Sequence, residues 1–130
     1  MQESIFTKIV KGEIPCHKIY EDELTLAFLD IKGAVEGHTL VITKKQVEYV
    51  WDLDDETYQA LWSTAKKVAL RLKNVLRPPR VGVKVMGEAV PHVHVHLIPF
   101  DNIEQYRGSP NAAVETDHDK LAETAKKLSF

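Results

Sequence analysis

One long amphipathic pattern dominates the middle of the chain. Between residues 58 and 75 apolar side chains recur at alternating steps of three and four, the period of a helix with one buried face. Asp54 precedes this pattern as a candidate N-cap, and Pro78-Pro79 follow it as a stop. The pattern predicts a helix over residues 54–76 whose apolar stripe covers one face of a sheet and is wide enough to touch a second subunit.

Shorter segments on both sides of this helix alternate apolar and polar residues, as strands do. Residues 80–86 and 92–98 are joined by only five residues, too few for a helical crossover, so we expect them to pair antiparallel. Residues 4–11 and 117–128 have helical spacing, whereas 101–116 have the character of an irregular arm. The predicted fold class is α+β, with an antiparallel sheet of about five strands, one long helix and short terminal helices. Strands are predicted at 17–21, 24–31, 38–43, 80–86 and 92–98.

The composition fits one domain with a single core. The chain has 130 residues, 44% of them hydrophobic and 28% charged, which argues against disorder. A net charge of -2 argues against a nucleic-acid or membrane-surface partner, and no apolar run is long enough for a transmembrane helix. The only cysteine, Cys16, excludes an internal disulfide and a multi-cysteine zinc module. We therefore expect a cytoplasmic protein that acts on a small molecule.

Basic residues are concentrated in one part of the chain. Residues 57–87 contain seven Lys and Arg, among them Lys84, and no Asp or Glu. Such a run is either a solvated helix face or a positive field that attracts an anionic substrate.

Three histidines occupy alternate positions near the end of the predicted sheet: His92, His94 and His96. Alternate side chains of a strand share a face at intervals of about 6.6 Å, so the three imidazoles are expected to project the same way. Two kinds of chemistry need such a row. The imidazoles are metal ligands, as in zinc enzymes, or one is a nucleophile whose protonation the others tune. The spacing alone does not separate these alternatives.

Residues 92–98 (HVHVHLI) resemble the signature of the histidine triad superfamily, in which histidines alternate with apolar residues. The resemblance covers about residues 4–100 and points to the Hint-like branch. It implies a histidine triad domain over residues 1–100, with 101–130 as an arm and short helix packing on the same domain. Upstream segments similar to the family in order and spacing are IFTKIVKGEIP (5–15), IYEDE (19–23), LAFLDI (26–31) and GHTLVITKKQVE (37–48).

The resemblance implies roles for individual residues. His94 is the expected nucleophile at the α-phosphate of a nucleotide, His92 orients it, and His96 lies near the leaving group. His38 matches a fourth histidine beside the triad, and Asp30 matches the acid that binds the ribose hydroxyls. The remaining substrate-binding residues implied by the resemblance are Ile5, Phe6, Ile9, Phe28, Leu29 and Ile31 in the base pocket, and Glu88, Ala89 and Val90 before the triad.

Two departures from the family pattern affect these expectations. Many relatives hold a structural zinc with Cys-x-x-Cys and two histidines, but Ser4 and Thr7 occupy the cysteine positions here, so we predict no bound metal. Before the triad, relatives place Gln and Ser beside the phosphate, where this chain has Glu88 and Ala89. Glu88 adds an anion beside the phosphate, and Ala89 lacks the hydroxyl donor of the relatives. These changes put a phosphoramidate, the usual substrate of the relatives, in doubt.

Four functions remain open at this point. The first is a metal-independent and cofactor-free hydrolase or nucleotidyl transferase acting on purine nucleoside phosphoramidates or acyl-nucleotides. The others are a dinucleoside polyphosphate hydrolase, a nucleotide-binding sensor with little turnover, and a metal-dependent hydrolase that uses the triad as ligands. Relatives of this size form two-fold dimers, so we expect a homodimer.

Overall fold

The computed structural model describes residues 2–33, 35–87, 89–108 and 115–130. A 3₁₀ turn at Val50–Asp52 precedes the long helix. The helices and strands are α1 (Ile5–Val10), β1 (Lys18–Glu21), β2 (Thr25–Leu29), β3 (Thr39–Thr43), α2 (Asp55–Leu76), β4 (Arg80–Lys84), β5 (His94–Phe100), α3 (Ile103–Arg107) and α4 (His118–Leu128).

The five strands form one antiparallel sheet in the order β1-β2-β3-β5-β4. The predicted α+β class and the antiparallel pairing of β4 with β5 are confirmed. Because β4 lies at one end of this order, one of its edges has no strand beside it within the sheet.

The predicted long helix covers one face of the sheet. The Asp54 carboxylate accepts from the Thr57 amide at 2.8 Å, so it is the N-cap that the sequence predicted. Leu61, Val68 and Leu72 are fully buried against inward residues of the strands. Burial of this apolar stripe against the sheet is what the three-four spacing predicted.

The last helix packs on the same layer as α2. Ala125 and Leu128 of α4 belong to the main core, and Arg71 on α2 donates to the backbone carbonyl of Leu128 at 3.0 Å. The amide of Phe130 donates to the carbonyl of Ile19, which joins the chain end to β1.

Two predictions about local structure were wrong. The last strand begins at His94 rather than at residue 92, because the amide of His92 turns back to the carbonyl of Val90. The predicted irregular arm contains the helix α3, whose N-cap Asn102 forms a reciprocal capping box with Gln105. Among the described helices, none is both long and apolar enough to cross a membrane.

Candidate active site

The opposite face of the sheet carries the triad. His94 and His96 on β5 lie across from Ile42 and Leu40 of β3 in the antiparallel register. A second, smaller apolar cluster occupies this face, and the buried Phe6 of α1 belongs to it. The alternation of the strand therefore separates the histidines from the main core beneath α2.

His92 is held by hydrogen bonds at both ring nitrogens. Its Nε2 lies 2.5 Å from the carbonyl oxygen of Thr43, and its Nδ1 lies 2.7 Å from the hydroxyl of Ser4. A carbonyl only accepts, so Nε2 carries the proton and Nδ1 accepts from Ser4. Burial is the main cause that lowers the pKa of His92, although the Thr43 contact opposes this. A neutral ring with one defined tautomer results.

His94 takes its orientation from the backbone of His92. Its Nδ1 lies 2.7 Å from the His92 carbonyl oxygen, so Nδ1 must carry the proton and donate. The lone pair of the imidazole is therefore on Nε2. The ring of Phe6 packs edge-on against His94 at a centroid distance of 5.1 Å. A neutral imidazole fixed in the tautomer with its lone pair on Nε2 is what a nucleophilic histidine requires.

His96 forms a pair with His38. Nδ1 of His96 lies 2.9 Å from Nε2 of His38, and the same His38 nitrogen lies 3.6 Å from the carboxylate of Asp30. The outer nitrogens, Nε2 of His96 and Nδ1 of His38, are buried without a hydrogen-bond partner among the described residues. A Cβ on Gly33 would come within 2.6 Å of the His38 Cβ, so the glycine at that position lets the loop approach the ring closely.

Burial keeps both members of this pair neutral. It is the main cause that lowers the pKa of His96 to about 4, and the neighbouring ring of His38 adds to the effect. Burial also lowers the pKa of His38, against the opposing charge of Asp30. Both imidazoles are therefore uncharged near neutral pH.

Asp30 directly follows β2 and lies at the rim of a cavity. One carboxylate oxygen accepts from the amide of Lys32 at 2.9 Å, in the turn that follows the strand. The other oxygen is the one that faces His38. The cavity has a volume of about 410 Å³, and Ile31 and Thr124 also contribute to its lining. The hydroxyl of Thr116 donates to the carbonyl of Ile31, so the segment before α4 reaches this rim.

The predicted base pocket divides between the two faces of the sheet. Phe6 and Phe28 are both buried, at a ring-centroid distance of 5.7 Å, and the half-buried Ile9 packs against the same cluster. Ile5 and Ile31 are each 49% exposed. The side chain of Leu29 does not share a face of the sheet with Phe6 and Phe28.

Leu29 was predicted to line the base pocket, and that prediction was wrong. Its side chain is buried in the main core beneath α2, on the face opposite the triad. The reason is the two-residue period of the strand, which directs Leu29 away from the face that Phe28 occupies.

The segment before the triad is described only in part. Ala89 is exposed, and Val90 packs against the smaller cluster. The predicted role of Glu88 falls on a residue outside the described ranges.

The residues that would hold a structural zinc do not fit that metal. Ser4, Thr7 and His92 converge as the family pattern implies, but Gln46 completes the group. Its Oε1 accepts from the Thr7 hydroxyl at 2.7 Å and from the Ser4 amide at 2.8 Å. These oxygens are neutral hydroxyl and amide groups, whereas structural zinc sites use thiolates and imidazoles. A hydrogen-bonded cluster joins α1 to the triad at this position.

The position of Gln46 could be found only from the fold. His38 is not part of this cluster, because it contacts His96 and Asp30 instead. Gln46 lies 42 positions from Ser4 in the chain and carries no motif of its own.

Lys84 is the member of the basic run that lies beside the triad. It pairs with His96 across β4 and β5, and its charge contributes to the lowered pKa of that histidine. Its ammonium group also contacts the carbonyl of Tyr106 and lies 4.5 Å from the centroid of that ring. In contrast, Arg71 binds the carboxyl end of α4 and is structural. The run therefore has no single role.

The comparisons with known proteins agree with this arrangement. The family model for the HIT domain matches residues 11–103. The chain is 39% identical over 102 residues to Protein hit of Bacillus subtilis, covering 73% of this chain and 69% of the relative. It is 38% identical over 128 residues to adenosine 5'-monophosphoramidase HNT1 of Saccharomyces cerevisiae, covering 95% of this chain and 79% of the relative.

A solved structure has the same fold over nearly the whole chain. The crystal structure of a Hit-like protein involved in cell-cycle regulation from Bartonella henselae superimposes with a TM-score of 0.82 at 31% identity. It covers 97% of this chain and 94% of that one. The protein belongs to the HIT family, and the resemblance seen in the sequence is confirmed.

Proposed function

We propose that the protein hydrolyses purine nucleotide conjugates at the α-phosphate, through a nucleotidyl intermediate on His94. The observation that carries this proposal is the 2.7 Å contact between His94 Nδ1 and the His92 carbonyl, since it leaves the lone pair on Nε2. The phosphoramidase name of the yeast relative supports a nucleoside phosphoramidate or an acyl-nucleotide as the substrate.

The proposed reaction has two displacements at phosphorus. Nε2 of His94 attacks the α-phosphorus, a nitrogen–phosphorus bond forms, and the bond to the leaving group breaks. Water then attacks the same phosphorus and breaks the bond to His94. Overall the water supplies a hydroxyl to the phosphate and a proton to the leaving group, and His94 returns to its starting state.

His96, Asp30 and Lys84 have supporting roles in this proposal. Nε2 of His96, which has no hydrogen-bond partner in the part of the chain that the structure describes, is a group that can form a hydrogen bond with the phosphate or the leaving group. The carboxylate of Asp30 accepts from the ribose hydroxyls, and the charge of Lys84 favours an anionic substrate beside His96. None of these roles requires a metal.

The metal-dependent alternative has less support. Both ring nitrogens of His92 bind protein groups, and Nδ1 of His94 binds a carbonyl. The triad therefore does not present three free nitrogens to one ion. A dinucleoside polyphosphate hydrolase and a nucleotide-binding sensor would use the same site. Substrate preference distinguishes the first from the proposed function, and binding without turnover distinguishes the second.

The deciding experiment compares wild type with His94→Ala on adenosine 5′-phosphoramidate in EDTA. We expect wild-type turnover and no turnover in the variant, while the variant retains adenosine monophosphate binding. Turnover that survives the substitution would overturn the role of His94. A clear preference for diadenosine polyphosphates would select the second function, and tight nucleotide binding without turnover on any substrate would select the sensor.

We also propose that the protein is a homodimer that self-associates through β4. This strand lies at the edge of the sheet, and the backbone groups of an edge strand are a template for another strand. One of them, the carbonyl of Val83, accepts from the hydroxyl of Tyr106 at 2.6 Å. Val83 on β4 and Met86 just after it are exposed, at 47% and 65%, and Trp51 is 81% exposed. Exposed apolar residues beside an open edge favour an interface.

A further inference from the structure

A glutamine outside the triad lies at the centre of the hydrogen bonds around His92. Gln46 follows β3 in the chain, and its Oε1 accepts from the Ser4 amide and from the Thr7 hydroxyl. Its Nε2 donates to the carbonyl of Gln2 at 3.0 Å. A backbone amide only donates and a carbonyl only accepts, so these two backbone groups determine which end of the Gln46 amide is the oxygen.

We propose that Gln46 is a positioning residue for the nucleophile and that it acts through Ser4 and His92. It fixes the direction of the hydroxyl protons beside His92, and thereby the tautomer of that ring and the position of the carbonyl that holds His94. The effect on catalysis rests on the proposed function, because only that function makes His94 a nucleophile. The effect on the two imidazoles does not depend on it.

The acceptor oxygen of Gln46 decides which hydroxyl donates to His92. Two hydroxyls lie near Nδ1 of this ring, that of Ser4 at 2.7 Å and that of Thr7 at 3.4 Å. Each hydroxyl has one proton to donate. Because Thr7 donates its proton to Gln46 at 2.7 Å, the Ser4 proton is the one directed at Nδ1. Nδ1 is then an acceptor, which is the tautomer that the Thr43 carbonyl also requires at Nε2.

The segment that carries Gln46 holds the start of the triad at three points. The Thr43 carbonyl accepts from His92, and the carbonyl of Val47 accepts from the Val93 amide at 2.8 Å. Between them, the side chain of Gln46 binds the first turn of α1. Because His92 precedes β5 and lies outside its ladder, these contacts set the position of its carbonyl. That carbonyl accepts Nδ1–H of the proposed nucleophile at 2.7 Å.

The arrangement around His92 loses its uniqueness without Gln46. His92 is fully buried and Ser4 is nearly so, which keeps water from replacing a lost partner. The Thr7 hydroxyl, once released from Gln46, can turn its proton towards Nδ1, and the Ser4 hydroxyl can turn towards Thr7 at 3.3 Å. Several hydrogen-bond arrangements then replace one, so we expect the His92 ring and its carbonyl to become less well ordered.

The test is Gln46→Leu, which removes the amide and keeps a side chain of similar size. Nitrogen NMR of the imidazoles reports the tautomer of each ring without substrate or turnover. Wild type should show His92 protonated on Nε2 and His94 protonated on Nδ1. In the variant we expect mixed or broadened imidazole signals for both rings.

The kinetic consequence of Gln46→Leu should fall on the chemical step. We expect kcat for adenosine 5′-phosphoramidate to fall by about tenfold or more, because a misplaced nucleophile loses its attack geometry. KM should stay within about twofold of wild type, since the residues proposed to bind the nucleotide are unchanged. The matched control is Gln59→Leu, the same exchange at an exposed position of α2, and it should change neither the imidazole signals nor kcat.

Gln46→Glu is the conservative variant. Its carboxylate still accepts from the Thr7 hydroxyl and the Ser4 amide, but it has no proton for the Gln2 carbonyl. It should therefore keep the wild-type tautomers and lose less of kcat than Gln46→Leu. Equal losses in the two variants would assign the effect to the contact with Gln2 and overturn the proposed control of the hydroxyl protons.

Two further outcomes would overturn the positioning role. One is a folded Gln46→Leu with wild-type imidazole signals and wild-type kcat. The other is a raised KM at unchanged kcat, which would show that the displacement of α1 disturbs nucleotide binding instead. If circular dichroism shows that Gln46→Leu does not fold, Gln46→Glu decides the question, because altered tautomers in that variant contradict the proposal and wild-type tautomers support it.

The imidazole signals also separate this role from the proposed function. Mixed tautomers in Gln46→Leu, in a protein whose wild type hydrolyses no nucleotide conjugate, would overturn the function and support the role of Gln46 at His92. Wild-type turnover that Gln46→Leu leaves unchanged would support the function and overturn the role of Gln46.

Discussion

The hydroxyl of Ser4 lies 2.7 Å from Nδ1 of His92 and joins the start of α1 to the triad across 88 positions of sequence. Because the Thr43 carbonyl accepts the hydrogen bond from Nε2–H, Nδ1 of His92 is an acceptor and the Ser4 hydroxyl is its donor. The carbonyl of His92 in turn receives Nδ1–H of His94. The orientation of the proposed nucleophile therefore depends on Ser4, the N-cap of α1.

Replacement of this hydroxyl should destabilise the fold. Ser4→Ala leaves Nδ1 of the fully buried His92 without its nearest donor, and it removes the cap that accepts from the Thr7 amide. We expect the free energy of unfolding to fall by about 1–3 kcal/mol, measured in urea at neutral pH. Ser63→Ala, at an exposed position of α2, is the control and should stay within about 0.5 kcal/mol of wild type. Equal effects of the two variants would show that the contact contributes nothing.

Stability should decrease as the pH falls below neutrality. The pKa of His96 is lowered to about 4 in the folded protein and is near 6.5 in the unfolded chain, so the unfolded state binds more protons between these values. The stabilisation is fully present above pH 6.5 and is lost as the pH falls towards 4. His96→Gln removes this group, so its free energy of unfolding should depend less steeply on pH in this window. An identical pH dependence in urea denaturation of both proteins would contradict the prediction.

The sequence predicted the architecture well because its signals are local and periodic. The three-four spacing of α2 and the alternation of the strands can be read without knowing the partners of any residue. The Asp54 cap is likewise a local contact. The shared face of His94 and His96 follows from the strand period alone, so it could be predicted.

The details of the site could not be predicted, because they depend on residues distant in sequence. The contact between Gln46 and Ser4, and the pairing of Lys84 with His96, appear only after the sheet is assembled. The turn before β5 includes His92, so the strand begins later than the alternation predicts. The alternating pattern continues through this turn and does not reveal it. Leu29 is a different case, because the strand period that predicted the triad face should have excluded it from the base pocket.

The position of Leu29 predicts a purely structural role. Leu29→Ala should lower the free energy of unfolding by about 2–5 kcal/mol, because the side chain is 1% exposed within the main core. The folded variant should bind adenosine monophosphate as the wild type does. Ile31→Ala, two positions along and 49% exposed at the cavity rim, should show the reverse pattern. Weaker nucleotide binding in Leu29→Ala than in Ile31→Ala would restore Leu29 to the base pocket.

A charge on the open edge should prevent self-association. Val83→Arg places a cation on the exposed edge strand, where a second copy of this edge would have to bury it. Multi-angle light scattering should show a dimer for wild type and a monomer for the variant. Ile103→Arg, on α3 and 42% exposed in wild type, is the matched control and should remain dimeric. A monomeric wild type at micromolar concentration would refute the proposed dimer.

The charge of Lys84 should contribute to turnover of an anionic substrate. Lys84→Met keeps the flexible stem beside Tyr106 but removes the charge beside His96. We expect kcat/KM for adenosine 5′-phosphoramidate to fall by about tenfold, or about 1.4 kcal/mol, and the difference from wild type to shrink as salt is added. Lys66→Met removes an exposed charge from the same basic run on α2 and should have little effect.

A second readout distinguishes the charge of Lys84 from its packing. The positive charge lowers the pKa of His96, so this pKa should rise in Lys84→Met when the imidazole is titrated by NMR. A loss of activity that salt does not reduce, with an unchanged His96 titration, would assign Lys84 to the support of α3 through Tyr106. A rise in the pKa together with a salt-dependent loss of rate would place the charge of Lys84 in the electrostatics of the site, a role that the composition of the basic run does not assign to any one of its members.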